Sequence, residues 1–274
     1  MKKIEVYQSL WGMTDLPSIE MPWNIMEQIR HIKQAGFDGA LQFVDDFFEE
    51  TLEISKAIID SGLKLGISCV GYEIEDIASK IAYAKRAKAE YINIMVKHYF
   101  IVGQEAIILL NEIIKQSIEM DFKVFIETHR GTITQDLIRT SEYIEAIPKM
   151  LLTLDLSHYI VSGEIGIPDR NVENYFEKLL QRAASIHIRV GNGEQIQLPL
   201  NALDEIQYNN FIRWWKKGIE HSILREEIMQ PFPVVIELGP SPYQQKVMSP
   251  DGSWIIDCNR WDEAIRWKQI VEKF

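Results

Sequence analysis

The chain has 274 residues, of which 46% are hydrophobic and 25% are charged, and this balance excludes disordered and collagen-like proteins. Its formal net charge of -11 at pH 7 would repel a phosphate backbone, so nucleic acid is not expected as a partner. The two cysteines, Cys69 and Cys258, provide neither a disulfide framework nor a cysteine-rich metal site and are expected to be structural.

Short apolar, β-branched runs alternate with amphipathic segments along the chain, which is typical of helices packed around a parallel sheet. In chain order, the predicted strands are Ile4–Ser9, Gly39–Phe43, Leu63–Val70, Tyr91–Val96, Lys123–Glu127, Leu151–Asp155, Ser185–Val190 and Val234–Leu238. The predicted helices are Asn24–Gln34, Glu49–Asp60, Ile74–Ala87, Gln104–Met120, Gln135–Ala146, Val172–Arg182, Leu203–Glu220 and Arg260–Glu272. Gly36 and Gly62 stand where helices end, just before the next strand.

Eight such pairs in a chain of this length predict an α/β fold, the (β/α)8 TIM barrel, as a single domain over residues 1–274. An open doubly wound sheet has the same alternation, but the glycine fingerprint of a dinucleotide fold is missing after the first strand, in QSLWGMTD. The longest segments predicted to be irregular, Gly191–Ala202 and Gly239–Asn259, each follow a strand, where barrel enzymes carry active-site loops.

Neither membrane insertion nor secretion is expected from the sequence. The amino-terminal segment MKKIEVYQSLWGM has a basic pair but no long apolar core, and no stretch of about 18 apolar residues occurs elsewhere. We therefore expect a soluble, cytoplasmic protein with a small-molecule substrate and no membrane partner. The sequence leaves the oligomeric state open and permits a homo-oligomer.

Four late strands each place an acidic or imidazole side chain on the inward face. Alternate side chains of a strand share a face, and the chemistry of barrel enzymes lies at the carboxyl ends of the strands. The inward-facing residues near these ends are Glu127 in VFIE, Asp155 in LLTLD, His187 in SIHIRV and Glu237 in VVIEL. We expect these four side chains to meet at the mouth of the barrel.

A divalent metal ion accounts for this combination of residues. Three converging carboxylates would repel one another in a buried site, and a cation would offset both the repulsion and the cost of burial. Three oxygen ligands and one imidazole form a harder set than the cysteine-rich sets of structural zinc. We predict one ion, Mn²⁺ or Mg²⁺ in first place, with Co²⁺ or Zn²⁺ as alternatives. The other interpretation is that the four residues are separate salt-bridge partners.

The segments FIETHRGT, LTLDLSHY, SIHIRV and VVIELGPSPY resemble strand-end motifs of the xylose isomerase-like barrel superfamily, which includes sugar isomerases, ketose epimerases, inosose dehydratases and endonuclease IV. The resemblance is close in the second half of the chain and limited to the β/α rhythm in the first. It implies a metal bound by Glu127, Asp155, His187 and Glu237, with the two glutamates as the catalytic acid/base pair. It also implies that His158 contacts a substrate oxygen. Because His158 comes three residues after Asp155, an odd offset for a strand, we expect it in the loop past the strand end, the alternative being an ordinary surface loop histidine.

Other polar residues are candidates for substrate binding. His129 and Arg130 follow Glu127 directly and could reach a hydroxyl or a phosphate, and Arg130 could equally cap a helix or pair on the surface. The ketose epimerases have an arginine several residues beyond the metal histidine, where this chain has GNGE. The nearby arginine is Arg189, on the same strand face as His187, and we predict that it binds substrate. This departure from the epimerase pattern leaves the substrate open.

Residues after the earlier strands give weaker signals. Lys97 and His98 either enter the site or lie in a solvated loop. Trp11, Tyr72 and Trp254 form either aromatic walls for a sugar ring or core and lid packing.

The predicted function follows from the predicted metal site. A metal between a carbonyl and its neighbouring hydroxyl favours loss of the proton between them, through an enediolate. We therefore predict a metal-dependent isomerase or epimerase of a small sugar, sugar phosphate or hydroxy-keto compound. An inosose-type dehydratase is the nearest alternative, since the same proton abstraction followed by loss of a β-hydroxyl gives elimination. An endonuclease IV-like phosphodiesterase is disfavoured because GNGEQIQLPL and CVGYE lack its further metal ligands, and a non-catalytic sugar-binding barrel is disfavoured by the intact acid/base pair.

Overall fold

A closed barrel of parallel strands organises the molecule, and the predicted (β/α)8 fold is confirmed. The computed structural model describes residues 3–45, 49–225, 231–248, 254–256 and 258–274, without the side chains of 246–248 and 254–256. The barrel strands follow one another in sequence order: β1 (Ile4–Ser9), β2 (Gly39–Phe43), β3 (Lys64–Gly71), β4 (Tyr91–Val96), β5 (Val124–Glu127), β6 (Leu152–Leu154), β7 (Ala183–Ile188) and β8 (Phe232–Ile236). Pairing of β8 with β1 closes the barrel.

Helices follow the strands and pack apolar side chains against the outside of the barrel. They are α1 (Ile25–Gln34), α2 (Glu49–Asp60), α3 (Ile74–Arg86), α4 (Gly103–Glu119), α5 (Leu137–Ala146), α6 (Leu156–Ser162), α7 (Arg170–Leu180), α8 (Glu205–Ile223) and α9 (Arg260–Val271). Gly36 and Gly62 have φ values of 74° and 78°, so the predicted helix-ending glycines are confirmed. Among the described residues, no helix is long and apolar enough to cross a membrane.

Two regions differ from the sequence prediction. Helix α6 lies where no helix is predicted. Five of its seven residues are buried, so its sequence lacks the exposed polar face with helical spacing on which a helix prediction depends. The segment Gly239–Asn259, predicted to be irregular, contains an antiparallel pair, β9 (Lys246–Met248) with β10 (Trp254–Ile256). Three-residue strands are too short to show a clear alternation.

A layer of inward-facing side chains fills the barrel below its mouth: Tyr7, Leu41, Tyr91, Phe125, Ala184 and Val235. The Tyr91 and Phe125 rings stack with their centroids 5.1 Å apart, and Tyr7 meets Tyr91 edge to face at 6.0 Å. Gly39 makes room for this layer, because a Cβ there would lie 2.3 Å from the Tyr7 ring. The layer fills the barrel interior, and the polar residues beyond it lie at the carboxyl ends of the strands.

Phe125→Ala is expected to lower the free energy of unfolding by about 3–5 kcal/mol, because it removes a buried ring from this layer and leaves a cavity. Phe125 is 1% exposed. The matched control is Phe100→Ala, since Phe100 is 81% exposed and should change stability by less than about 0.5 kcal/mol. Urea denaturation followed by circular dichroism compares the two variants, and equal shifts would contradict the packing role of Phe125.

Candidate active site

The carboxyl ends of the barrel strands surround a cavity of about 210 Å³. Inward-facing residues of the barrel strands and of the segments that follow them line it, as the fold predicts for an active site. Trp11, after β1, and Tyr243, after β8, meet edge to face at 5.1 Å and form part of its rim. The tip of Tyr243, a residue that the sequence prediction missed, lies 3.3 Å from His129 Nε2.

Four side chains converge at the base of this mouth. Each offers a metal-ligand atom, and these atoms lie within 4.8 Å of one another: Glu127 from β5, Asp155 after β6, His187 from β7 and Glu237 after β8. Their exposed fractions run from 0% to 8%. The structure thus brings together all four residues that the sequence places at the mouth. This set is called the carboxylate–histidine cluster below.

Several polar atoms of the cluster lack a hydrogen-bond partner within the described part of the chain: Asp155 Oδ2, His187 Nδ1 and His187 Nε2. His187 Nδ1 lies 2.9 Å from Glu237 Oε2 and 3.8 Å from Glu127 Oε1, at ion-pair distance from both carboxylates. Buried polar atoms are nearly always paired, so a group of unpaired ligand atoms indicates a missing partner between them. The donor set fits a divalent cation, and the cluster could hold a metal ion.

The ionisation of the cluster shows how the protein offsets its negative charges. Burial raises the pKa of Glu127 to about 7. Burial lowers the pKa of His187, but the carboxylates of Glu237 and Glu127 outweigh it and raise the value to about 9. For Glu237 the balance is reversed, since His187 and Arg189 outweigh burial and hold the pKa at about 2. A divalent cation at the cluster would compete with the His187 proton, because histidine binds metals in its neutral form.

Arg189 lies inside the cluster and contacts two of its carboxylates. It is 1% exposed, and its Nη2 donates to Glu237 Oε2 at 2.6 Å while its Nε donates to the Glu237 main-chain oxygen at 2.9 Å. Its Nη1 lies 3.2 Å from Asp155 Oδ2. Arg189 also lines the cavity, where it could reach a substrate. Its contact with Glu237 is observed, whereas its contact with substrate stays a prediction.

Glu127 has a different support. Asn93, on the neighbouring strand β4, donates from Nδ2 to Glu127 Oε2 and to Ser68 Oγ. Thr134 donates to the Glu127 main-chain oxygen at 2.5 Å. The Glu127 side chain thus accepts its hydrogen bond from a neutral amide, whereas the Glu237 side chain accepts one from an arginine. The sequence prediction missed Asn93, although the alternation in YINIMV places it inward with Tyr91.

His158 lies in α6, so the prediction of a loop position is wrong. Helix α6 begins directly after β6 because the Asp155 side chain caps its amino terminus. The His129 and His158 rings lie 3.8 Å apart, and burial lowers the pKa of His129 to about 4 and that of His158 well below its usual value. His129 Nδ1 faces the Arg130 main-chain oxygen at 2.6 Å. Glu127, His129 and His158 form a second group with metal-ligand spacing.

Of the residues that gave weaker signals in the sequence, some line the cavity and others do not. Lys97 lines the cavity, whereas His98 Nε2 contacts the main-chain oxygen of Tyr72. Trp11 lines the cavity, Tyr72 is exposed, and the side chain of Trp254 lies outside the described residues. The Arg130 guanidinium lies 5.2 Å from the centre of the Tyr243 ring, at the rim.

Comparisons with protein-family models and with curated proteins find no match. Among solved structures, L-ribulose 3-epimerase superposes with a TM-score of 0.66 at 11% identity, covering 98% of this chain and 93% of that one. D-psicose 3-epimerase from Clostridium cellulolyticum H10 gives 0.62 at 10% identity, covering 99% and 98%. A probable 3-DHS dehydratase from Bacillus anthracis gives 0.59 at 14% identity, covering 87% and 94%. This chain has the barrel fold of these enzymes, which confirms the predicted resemblance for the fold.

Proposed function

We propose that this protein is a metal-dependent isomerase or epimerase that moves a proton on a carbon next to a carbonyl in a small, sugar-like substrate. The observation that supports this most strongly is the carboxylate–histidine cluster, whose four buried side chains bring their ligand atoms within 4.8 Å of one another at the base of an open cavity. The ion is proposed to be Mn²⁺ or Mg²⁺, bound by Glu127, Asp155, His187 and Glu237. Solved structures of similar fold include two ketose 3-epimerases, in line with this class of reaction.

The residues of the site have distinct roles in this proposal. A divalent ion at the cluster would polarise adjacent carbonyl and hydroxyl oxygens of the substrate. Glu127, which lines the cavity, accepts and returns the proton bound to carbon. Glu237 is the second acid/base group. Asp155 and His187 hold the ion.

The two neutral imidazoles beside the cluster supply hydrogen bonds. His158 Nε2 faces both Arg189 Nη1 at 3.4 Å and Asp155 Oδ2 at 3.5 Å. Its buried Nδ1 has no hydrogen-bond partner within the described residues, and we assign to it the contact with a substrate oxygen. His129 holds its own proton on Nδ1, toward the Arg130 carbonyl, and accepts from Tyr243 at Nε2.

A dehydratase is the second candidate, and the unequal support of the two glutamates favours it. Arg189 holds Glu237 as a charged carboxylate through its side chain and its main-chain oxygen, whereas the Glu127 side chain accepts a hydrogen bond from Asn93 and lies 3.8 Å from His187 Nδ1. If Glu127 alone moves protons, it removes the hydrogen next to the carbonyl, the bond from the β-carbon to its hydroxyl breaks, and the hydroxyl leaves with a proton as water. A solved structure of similar fold is a probable 3-DHS dehydratase.

Proton exchange tests the proposal directly. Protein loaded with Mg²⁺ is expected to incorporate deuterium at the carbon next to the carbonyl when incubated in heavy water with a panel of ketoses, inososes and their phosphates. NMR measures the exchange and also separates an isomer or epimer from a product that has lost water. Treatment with a chelator should stop the exchange, and returning Mg²⁺ should restore it. Folded, metal-loaded protein that exchanges no hydrogen on any member of the panel would contradict the proposal.

A further inference from the structure

The wall of the cavity is divided into two halves of different chemistry. Strands β5 to β8 supply the charged and imidazole groups described above. From β2, β3 and β4, by contrast, the cavity is lined by one polar side chain, Ser68, and by four apolar ones, Leu41, Phe43, Val70 and Met95. The four apolar side chains are called the apolar wall.

The apolar wall is unsuited to a fully hydroxylated sugar. A five- or six-carbon ketose has a hydroxyl on almost every carbon, and each hydroxyl that leaves water without a new hydrogen bond costs binding energy. Hydrocarbon side chains at the wall provide no such partner. Two serines, Ser9 and Ser68, also line this part of the cavity, and Ser68 accepts a hydrogen bond from Asn93 at 3.1 Å, so two hydroxyl groups face the larger number that such a sugar would bring.

A single cation stands at the outer end of the apolar wall. Lys97 comes two residues after Met95, lines the same cavity and is exposed. Lys97 is the one charged side chain among the described residues of β1 to β4, and of the turns after them, that line the cavity. An ammonium group on a flexible stem fits one carboxylate, whereas phosphate is usually bound by several donors together.

We infer that the substrate is a hydroxy-keto acid with a hydrocarbon segment rather than a fully hydroxylated sugar. Its hydroxy-carbonyl end lies at the carboxylate–histidine cluster, its hydrocarbon segment packs on the apolar wall, and its carboxylate pairs with Lys97. This inference deepens the proposed function and rests on it, because the cluster fixes which end of the substrate reacts.

Three five-carbon hydroxamates test the inference, because they share one metal-binding head and differ in the tail. Pentanohydroxamate has a hydrocarbon tail, glutarate monohydroxamate adds a terminal carboxylate, and ribonohydroxamate has a hydroxyl on each tail carbon. Calorimetry with Mn²⁺-loaded protein gives each Kd. We expect glutarate monohydroxamate to bind most tightly and ribonohydroxamate to bind at least about 10-fold more weakly than pentanohydroxamate, because its hydroxyls lose water without new partners. Ribonohydroxamate binding as tightly as pentanohydroxamate would overturn the inference.

Variants of the wall locate the effect. Lys97→Met is expected to raise the Kd of glutarate monohydroxamate about 5-fold and to leave that of pentanohydroxamate unchanged, since only the former has a carboxylate that can pair with Lys97. Lys115→Met, at an exposed lysine of α4, is the matched control and should change neither Kd. Val70→Thr should lower the Kd of ribonohydroxamate relative to that of pentanohydroxamate, because threonine adds a hydroxyl to the apolar wall. An unchanged Kd for glutarate monohydroxamate in Lys97→Met would remove the carboxylate assignment, as would tighter binding of a phosphonate-ended hydroxamate of equal length.

The same titrations separate this inference from the proposed function. If no hydroxamate binds, or if binding is the same with and without Mn²⁺, the metal site of the proposed function fails and the inference fails with it. If binding requires Mn²⁺ but the polyol tail is preferred, the metal site stands and only the substrate inference is wrong.

Discussion

His187→Ala is expected to weaken metal affinity at least about 10-fold, because it deletes one of the four proposed ligands. Asp155→Asn should have a similar effect, since it removes a negative charge from a buried ligand set. Mass spectrometry of the dialysed proteins gives the metal content, which should be about one ion per chain before mutation. Chelation should also lower the unfolding temperature of the unmutated protein, because its carboxylates then face one another without a cation.

The matched variant for this experiment is His158→Ala. His158 is buried beside the cluster, with Nε2 3.5 Å from Asp155 Oδ2, but it is not one of the four proposed ligands. It should therefore keep its metal ion and lose turnover, as expected for a residue that contacts substrate. Equal loss of metal in His158→Ala, His187→Ala and Asp155→Asn would show that the second group with ligand spacing, formed by Glu127, His129 and His158, shares in metal binding.

The fold could be predicted because barrel strands and helices have strong and distinct periodicities. The predicted strand Leu63–Val70 is observed at Lys64–Gly71, and the predicted helix Glu49–Asp60 is observed with the same bounds. The faces of the strands could be predicted too. Phe125 packs inside the barrel with Tyr91, while Val124 and Ile126 belong to the core between strands and helices. Alternation along a strand requires only local information, so it is visible in the sequence.

The meeting of the cluster residues follows from the same rule. Glu127 and His187 are strand residues whose inward direction the alternation predicts. Glu237 lies one residue beyond the end of β8 as observed, and Asp155 one residue beyond β6, yet both keep the inward direction of their strands. The closed barrel then brings the four strand ends together. The role of these residues in metal binding stays a prediction.

The contacts that give each group its character could not be predicted. Arg189 is directed at Glu237 and Asp155 because the strand and turn geometry of three separate segments places them around it, and no local pattern encodes that. Tyr243 lies in a long segment without periodicity, although it reaches His129. Helix α6 is buried along most of its length, so the amphipathic signal on which sequence prediction depends is missing.

Glu127→Gln and Glu237→Gln are each expected to lower turnover by about 100- to 10,000-fold while still allowing substrate to bind, since an amide keeps an oxygen near the metal but cannot accept a proton from carbon. The matched control is Glu5→Gln. Glu5 is also a buried strand glutamate, but it lies at the opposite end of β1 from the mouth and pairs with Lys64, so its variant should keep turnover. Steady-state rates and metal content are measured for all three variants.

Deuterium exchange in these two glutamate variants then distinguishes an isomerase or epimerase from a dehydratase. If both glutamates move protons, each variant should still exchange the one substrate hydrogen that the surviving glutamate serves. If Glu127 alone moves protons, Glu127→Gln should show no exchange and Glu237→Gln should retain it, because Arg189 holds Glu237 as a charged carboxylate in either reaction. NMR of substrate incubated in heavy water gives the pattern. Full turnover in either variant would refute the role of that glutamate as a catalytic acid/base.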